Sequence, residues 1–299
     1  MQAEARERLA LALIGVTPAL WAVNFVIGRV APGIAAPHQL ALGRWALAGA
    51  LLVWVARREL WRERHSTLAA WPQYLVLGGC GMLVCGAWVY LAAHTTVAMN
   101  IALIYSTSPV LIALGAALWL GERLRLRQWL GVPLALAGVL HVVVQGRWSA
   151  LADLRLLPGD GWTVLATLAW AAYALLQKHW PSPLGPTARL AAISVGGALT
   201  LLPFALWEIG LPATPAWTTT ATGLVLLSAL VPGIAAYWIY GWSQRVLGAS
   251  RVAVTLYLSP LYAGLAAWMV LGEPLGWHHL VGAALILPGV YLVTRRGPG

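Results

Sequence analysis

Charged residues are scarce in this sequence. Asp, Glu, Lys and Arg make up only 9% of the 299 residues, whereas apolar residues make up 60%. A soluble globular domain carries roughly 25% charged residues, so this chain cannot cover itself with a water-facing surface. The scarcity excludes a soluble protein and predicts an all-α integral membrane protein whose surrounding partner is the lipid bilayer.

Residues that bind metals or carry out catalysis are also few. The two cysteines, Cys80 and Cys85, lie within one apolar run and have no paired Cys or His at ligand spacing. The sequence contains neither an HExxH nor a GxSxG pattern, and Asp and Glu are absent from the centres of the apolar runs. We therefore expect no metal, no cofactor, no enzymatic activity and no proton relay built from carboxylates.

The basic residues indicate orientation rather than nucleic-acid binding. The formal net charge is +10, but Lys and Arg fall in short connections and form no patch interleaved with aromatic residues. When the N-terminus is placed in the cytoplasm, most of these residues lie on the cytoplasmic side, and Arg147 and Arg155 are the clear exceptions. The distribution predicts a multi-pass protein with both termini in the cytoplasm and no nucleic-acid partner.

Ten apolar runs, called segments 1 to 10 below, are each long enough to form a transmembrane helix. The first is longer than the apolar part of a signal peptide, so we interpret it as a membrane helix. The predicted ranges of segments 1 to 10 are 9–30, 39–56, 72–94, 98–119, 128–145, 161–180, 187–207, 222–243, 250–271 and 277–294.

The sequence repeats itself at an offset of about 150 residues. Trp21 matches Trp170, and the glycines of segment 5 match those of segment 10 in the same order. The repeat divides the chain into halves of five segments each, 1–148 and 149–299, within one compact transport unit. Because five is odd, the halves enter the membrane from opposite sides, as in many secondary transporters. Duplication in a membrane protein that transports nothing is the alternative.

The repeated motifs resemble a known family. Each half has a Pro followed by Gly-Glu and by two spaced Gly, as Pro109…Gly121-Glu122…Gly131…Gly138 and Pro260…Gly272-Glu273…Gly282…Gly289. This pattern resembles the drug/metabolite transporter superfamily in its EamA-type exporter branch, most closely the bacterial exporters of aromatic amino acids. The resemblance implies a bacterial inner (plasma) membrane protein that exports small metabolites by alternating access, through a central cavity between segments 1, 3, 4, 6, 8 and 9.

Polar and aromatic side chains recur at helical spacing in these segments and are candidates for the cavity lining. Packing between helices, with each amide or hydroxyl satisfied locally, is the alternative for each. The candidate substrate-binding residues are Trp21, Asn24, Tyr90, His94, Tyr105, Trp170, Tyr173, Gln177, Tyr237, Tyr240 and Tyr257.

The aromatic faces suit an amphipathic zwitterion with an apolar side chain, so the expected cargo is a neutral or aromatic amino acid or a related metabolite. A multidrug or organic-cation exporter is the alternative, because aromatic faces also attract cations, and a channel is the alternative outside the carriers. Arg44 binds either a cargo carboxylate or backbone carbonyls. Glu122 and Glu273 are interpreted as anchors of helix ends. If transport is coupled to protons, His94 is the candidate.

Overall fold

The computed structural model describes residues 2–88, 91, 92, 95–271 and 275–294. Within those ranges the chain is helical with short connections and has no strand. Helices are expected here because lipid offers the backbone no hydrogen-bond partners. From segment 1 to segment 10, the main helices are Gln2–Val30; Pro37–Arg62; Trp71–Gly78 with Gly79–Trp88; Ala98–Tyr105 with Ser108–Leu118; Leu126–Val143; Pro158–His179; Pro186–Ile209; Thr219–Ser228 with Ala229–Ala235 and Ala236–Leu247; Ala249–Val254 with Thr255–Leu258 and Ser259–Leu271; and Trp277–Thr294.

Seven helices of the described residues are long and apolar enough to cross a membrane, and they belong to segments 1, 2, 4, 5, 7, 8 and 10. Segments 3, 6 and 9 are also helical but are not among the seven. Segment 9 is divided by the 3₁₀ turn Thr255–Leu258, and segment 6 has Asp160 in its first turn and Lys178 in its last. The protein is thus an all-helical, multi-pass membrane protein.

Several helices extend beyond their predicted ends. The helix of segment 1 begins at Gln2, and that of segment 2 runs from Pro37 to Arg62 instead of from 39 to 56. Most of the added residues are polar or charged, so hydropathy does not report them. A helix can continue into the headgroup region, where Arg and Trp side chains are well accommodated.

Segments 3 and 8 share a rare feature. Each contains a π-helix, Gly79–Trp88 in segment 3 and Ala229–Ala235 in segment 8. π-helices are uncommon and occur often at functional sites. These two begin at positions separated by the repeat offset of about 150 residues, and both lie next to the centre of the bundle.

Segments 5 and 10 pack against each other with their chains antiparallel. A methyl group added at Gly131 would lie 2.6 Å from the carbonyl oxygen of Gly289, and one added at Gly138 would lie 2.9 Å from that of Gly282. Glycine is therefore required at these positions, because the helix backbones touch. The low-numbered end of one helix meets the high-numbered end of the other.

Segments 2 and 7 form a second antiparallel pair. Gly49 lies against Ser194 and Val195 near the middle of the two helices, and Glu208, at the end of segment 7, contacts the start of segment 2 at His38. Further contacts between the halves join segment 1 to segments 8 and 9, segment 6 to segments 3 and 4, segment 7 to segment 3, segment 9 to segment 4, and segment 8 to segment 2. This arrangement brings segments 1, 6 and 8 together at the centre.

Candidate functional site

Five aromatic side chains meet where segments 1, 6 and 8 converge: Trp21, Trp170, Tyr173, Tyr237 and Tyr240. We call them the central aromatic cluster. The ring centroids of Trp21 and Trp170 are 5.5 Å apart, and those of Trp170 and Tyr240 are 5.2 Å apart. Tyr237 touches Trp21, Trp170 and Tyr173 at centroid distances of 5.8 to 5.9 Å. All five were singled out from the sequence, and the structure brings them together.

The rings of the cluster fill the space between the segments. Tyr173 and Tyr240 are 0% exposed, and Trp170 and Tyr237 are buried. The cleft that adjoins the cluster between segments 6, 7 and 8 has a volume of about 10 Å³, about what one water molecule needs. The described residues therefore form a closed arrangement, in which the cargo-sized cavity expected from the sequence is occupied by side chains.

A larger groove lies elsewhere. It has a volume of about 200 Å³, and its apolar lining comes from segments 2 and 7, including Leu42, Leu199 and Leu202. Leu199 and Leu202 are exposed on the outer surface of the bundle, where lipid chains are the surrounding medium. Trp45, on the inner wall, connects this groove to the cluster, since its ring centroid lies 4.8 Å from that of Tyr237.

Two hydroxyl groups of the cluster have contrasting environments. The Tyr237 hydroxyl donates a hydrogen bond of 2.9 Å to the carbonyl oxygen of Gly81, in the π-helix of segment 3. The Tyr240 hydroxyl is buried and has no hydrogen-bond partner among the described residues. A buried polar group without a partner costs roughly 1–3 kcal/mol, so Tyr240 offers a donor and an acceptor to a bound polar ligand.

Asn24 connects the cluster to a buried arginine. Its amide oxygen accepts a hydrogen bond of 3.0 Å from Nη1 of Arg44, while Nη2 of Arg44 donates to the carbonyl oxygen of Pro232 at 3.0 Å. Arg44 therefore satisfies a backbone carbonyl, one of the two roles considered for it. Trp45 belongs to this group but was not among the candidates. The sequence offered one signal for Trp45. It lies in the middle of an apolar segment, where few of the 18 Trp residues lie.

Three further candidates lie outside the cluster. Gln177 is buried beside the small cleft between segments 6, 7 and 8. Tyr105 lies close to Cys85 of segment 3. Tyr257 is 1% exposed and packs in an apolar core with residues of segments 5 and 10, such as Val139 and Val293. The candidates Tyr90 and His94 fall outside the described residues.

Three carboxylates fasten the halves to each other at helix starts. Glu208 accepts hydrogen bonds from the backbone N–H groups of His38 and Gln39 and from Nδ1 of His38 at 2.6 Å. Glu59 accepts one from the N–H of Gly185 at 2.6 Å. Carboxylates are favourable at helix N-termini, where N–H groups lack partners. Glu59 and Glu208 were missed in the sequence, although both end the second segment of a half.

Glu122 is the third of these carboxylates. It accepts hydrogen bonds from the N–H groups of Ala249 at 2.7 Å and Ser250 at 3.1 Å, at the start of segment 9. Gly248, with φ of 90°, makes this approach possible, because a side chain there would meet the carboxylate. Glu122 was interpreted as an anchor of a helix end, and the structure places its carboxylate on the start of segment 9 in the other half instead. Glu273 lies outside the described residues.

The chain matches a family of membrane transporters twice along its length. The EamA-like transporter family matches residues 8–144 and again residues 157–295. An uncharacterized transporter of Archaeoglobus fulgidus is 27% identical over 95% of this chain and 96% of its own length. The uncharacterized transporter YvbV of Bacillus subtilis is 27% identical over 93% of this chain and 88% of its own length.

The fold also has a counterpart of known structure. A protein solved by crystallography superposes with a TM-score of 0.73 over 94% of each chain, at 20% identity. The chain is helical, has about the same length as its relatives, and matches the family model twice. These features define a membrane transporter rather than an enzyme. The chain belongs to the EamA-like transporter family of the drug/metabolite transporter superfamily.

Proposed function

We propose that this protein exports small amphipathic metabolites, above all neutral and aromatic amino acids, from the cytoplasm by alternating access. The observation that carries the proposal is the central aromatic cluster, because the first half supplies Trp21 and the second half supplies Trp170, Tyr173, Tyr237 and Tyr240. A site shared by both halves changes shape whenever one half moves against the other.

The proposed architecture has ten transmembrane segments in two halves, 1–148 and 149–299, of opposite orientation. Three observations support it: the family matches each half separately, the equivalent segments 2 and 7 and the equivalent segments 5 and 10 pack antiparallel, and the two π-helices occupy corresponding positions. The charge distribution supports cytoplasmic termini, and the resemblance to bacterial exporters supports the bacterial inner membrane.

The carboxylate contacts provide a means of alternation. In the proposed orientation, Glu59 and Glu122 join the halves at the cytoplasmic end, and Glu208 joins them at the outer end. All three contacts are made at once in this structure, and Thr96 and Asn100 of the first half also donate hydrogen bonds to Asp160 of the second half at the outer end. The halves are therefore joined at both ends. Releasing the cytoplasmic contacts gives an inward-open state, and releasing the outer contacts gives an outward-open state.

The composition of the cluster favours a cargo with a flat or apolar side chain. Indole and phenol faces pack well on aromatic and aliphatic groups, each pair contributing about 0.5–1.5 kcal/mol beyond burial. The unpartnered Tyr240 hydroxyl adds a polar contact for the other end of the cargo.

An organic-cation or multidrug exporter is the second candidate. The observation that favours it is the same set of aromatic faces, which attract cations by roughly 0.5–2 kcal/mol each. Counterflow in proteoliposomes loaded with purified protein separates the candidates. Exchange of labelled tryptophan or threonine supports amino-acid export. Movement of a dicationic dye alone supports the cation exporter, and flux without exchange indicates a channel.

A further inference from the structure

One guanidinium group lies deep in the bundle beside the cluster. Arg44 is only 8% exposed and sits in the helix Pro37–Arg62, about 10 Å along the axis from its first residue. Its Cζ lies 4.8 Å from the centroid of the Trp45 ring, and that ring lies 4.8 Å from the ring of Tyr237. Asn24, one helical turn from Trp21, accepts its Nη1 hydrogen bond.

A buried arginine at this position requires a reason. Charged side chains within membrane segments are costly, face protein or cavity rather than lipid, and commonly mark the pathway of a substrate. The bonds to Asn24 Oδ1 and Pro232 O end on uncharged oxygens. Each of them satisfies one N–H group of the guanidinium, and a carboxylate oxygen binds such a group more strongly than an uncharged oxygen does.

We propose that Arg44 binds the carboxylate of the cargo. The guanidinium presents its N–H groups in a planar fork that matches two carboxylate oxygens. In the closed structure, Asn24 Oδ1 and Pro232 O occupy the acceptor positions. When the halves separate, the carboxylate oxygens replace one or both of them, while the side chain of the cargo lies against the central aromatic cluster.

The position of the second acceptor supports this exchange. Pro232 lies in the π-helix Ala229–Ala235 of segment 8, and π-helices occur often at functional sites. The opposite π-helix offers Gly81 O, now bonded to the Tyr237 hydroxyl, as an acceptor for the ammonium group of the same cargo.

The inference rests on the proposed function and makes it more specific. A fixed positive charge beside the cluster attracts a zwitterion or an anion but repels a cargo that is only a cation. Tryptophan and tryptamine share the indole and the ammonium group and differ in the carboxylate. We expect tryptophan to be preferred about tenfold or more, because one charge-assisted hydrogen bond raises affinity by about that factor. The same charge disfavours the dicationic dye.

Counterflow of labelled tryptophan and tryptamine by the wild type, Arg44→Gln and Arg44→Lys tests the proposal. We expect the preference for tryptophan to fall to near unity in Arg44→Gln and to persist in part in Arg44→Lys, which keeps a point charge. Arg251→Gln is the matched control. Arg251 also bonds a backbone carbonyl, that of Thr294, but pairs with Glu7 away from the cluster, so its loss leaves the ratio unchanged.

A competition experiment covers the case in which Arg44→Gln does not fold. Unlabelled tryptophanamide, which lacks the carboxylate, should inhibit tryptophan counterflow by the wild type about tenfold less well than tryptophan itself. Equal inhibition, or a folded Arg44→Gln with an unchanged ratio, overturns the role of Arg44 but leaves amino-acid export intact. A wild type that moves no amino acid overturns the proposed function as well.

Discussion

The indole rings of Trp21 and Trp170 lie edge to face, with their centroids 5.5 Å apart and their planes at 84°. The two residues occupy corresponding positions in the sequence repeat, so the contact joins equivalent faces of segments 1 and 6. It closes the centre of the bundle in this structure. Transport through this point requires the two rings to separate, and this requirement leads to the first prediction.

Trp170→Ala and Tyr173→Ala are expected to reduce amino-acid counterflow by a factor of about 2 to 30 each, the range that an aromatic contact of roughly 0.5–2 kcal/mol implies. Initial rates in proteoliposomes at matched protein content provide the measurement. Trp268→Ala is the control, because Trp268 is 51% exposed on segment 9. Unchanged flux in both cluster variants would remove the cluster from the cargo pathway.

Gly138→Leu is expected to destabilise the pairing of segments 5 and 10. The new side chain would begin 2.9 Å from the carbonyl oxygen of Gly282, and overpacking of this kind costs about 1–3 kcal/mol or more. Thermal unfolding of the purified protein in detergent should begin at a lower temperature. Gly15→Leu tests the same substitution at a glycine with no atom within 4 Å of a new Cβ and should leave the unfolding temperature near that of the wild type.

A disulfide between segments 2 and 7 tests their antiparallel pairing. A Cβ at Gly49 would lie 3.5 Å from Cβ of Ser194, within the range of a disulfide. In a background lacking Cys80 and Cys85, Gly49→Cys with Ser194→Cys should therefore cross-link on mild oxidation. After cleavage at a protease site inserted between segments 5 and 6, the two fragments should remain joined without reductant.

The control for the cross-link keeps Ser194→Cys and moves the second cysteine to position 15. Gly15→Cys with Ser194→Cys should give separate fragments, because nothing lies within 4 Å of a Cβ at Gly15. Separate fragments from the Gly49 pair as well would contradict the packing of segments 2 and 7 described above.

Glu122→Ala is expected to loosen the start of segment 9. The variant leaves the N–H groups of Ala249 and Ser250 without their acceptor, and loss of a helix cap costs about 0.5–2 kcal/mol. Hydrogen exchange of the amides in the helix Ala249–Val254 should become faster. Glu4→Ala removes an exposed carboxylate that pairs with Arg8 within one helix, and exchange in segment 9 should then be unaffected.

Composition and periodicity determined the class of this protein. The low charge and the long apolar runs led to a helical membrane protein without enzymatic motifs, and the spaced Pro, Gly-Glu and Gly motifs led to the family that the comparison confirms. These features are local or recur along the chain, so they can be read without knowing which helices touch. The candidates Trp21, Trp170, Tyr173, Tyr237 and Tyr240 followed from helical spacing within segments that the sequence repeat makes equivalent and that the resemblance assigns to the cavity.

The tertiary structure decided which of those faces meet. Hydropathy fixes that a helix lies in the membrane but says little about its rotation, so it does not tell that Tyr257 packs in an apolar core rather than in the cluster. The contacts of Arg44 with Pro232 and of Glu208 with His38 join residues more than one hundred positions apart. Such contacts depend on how ten helical segments pack against one another, because each side chain selects its partner only after the backbones have assembled.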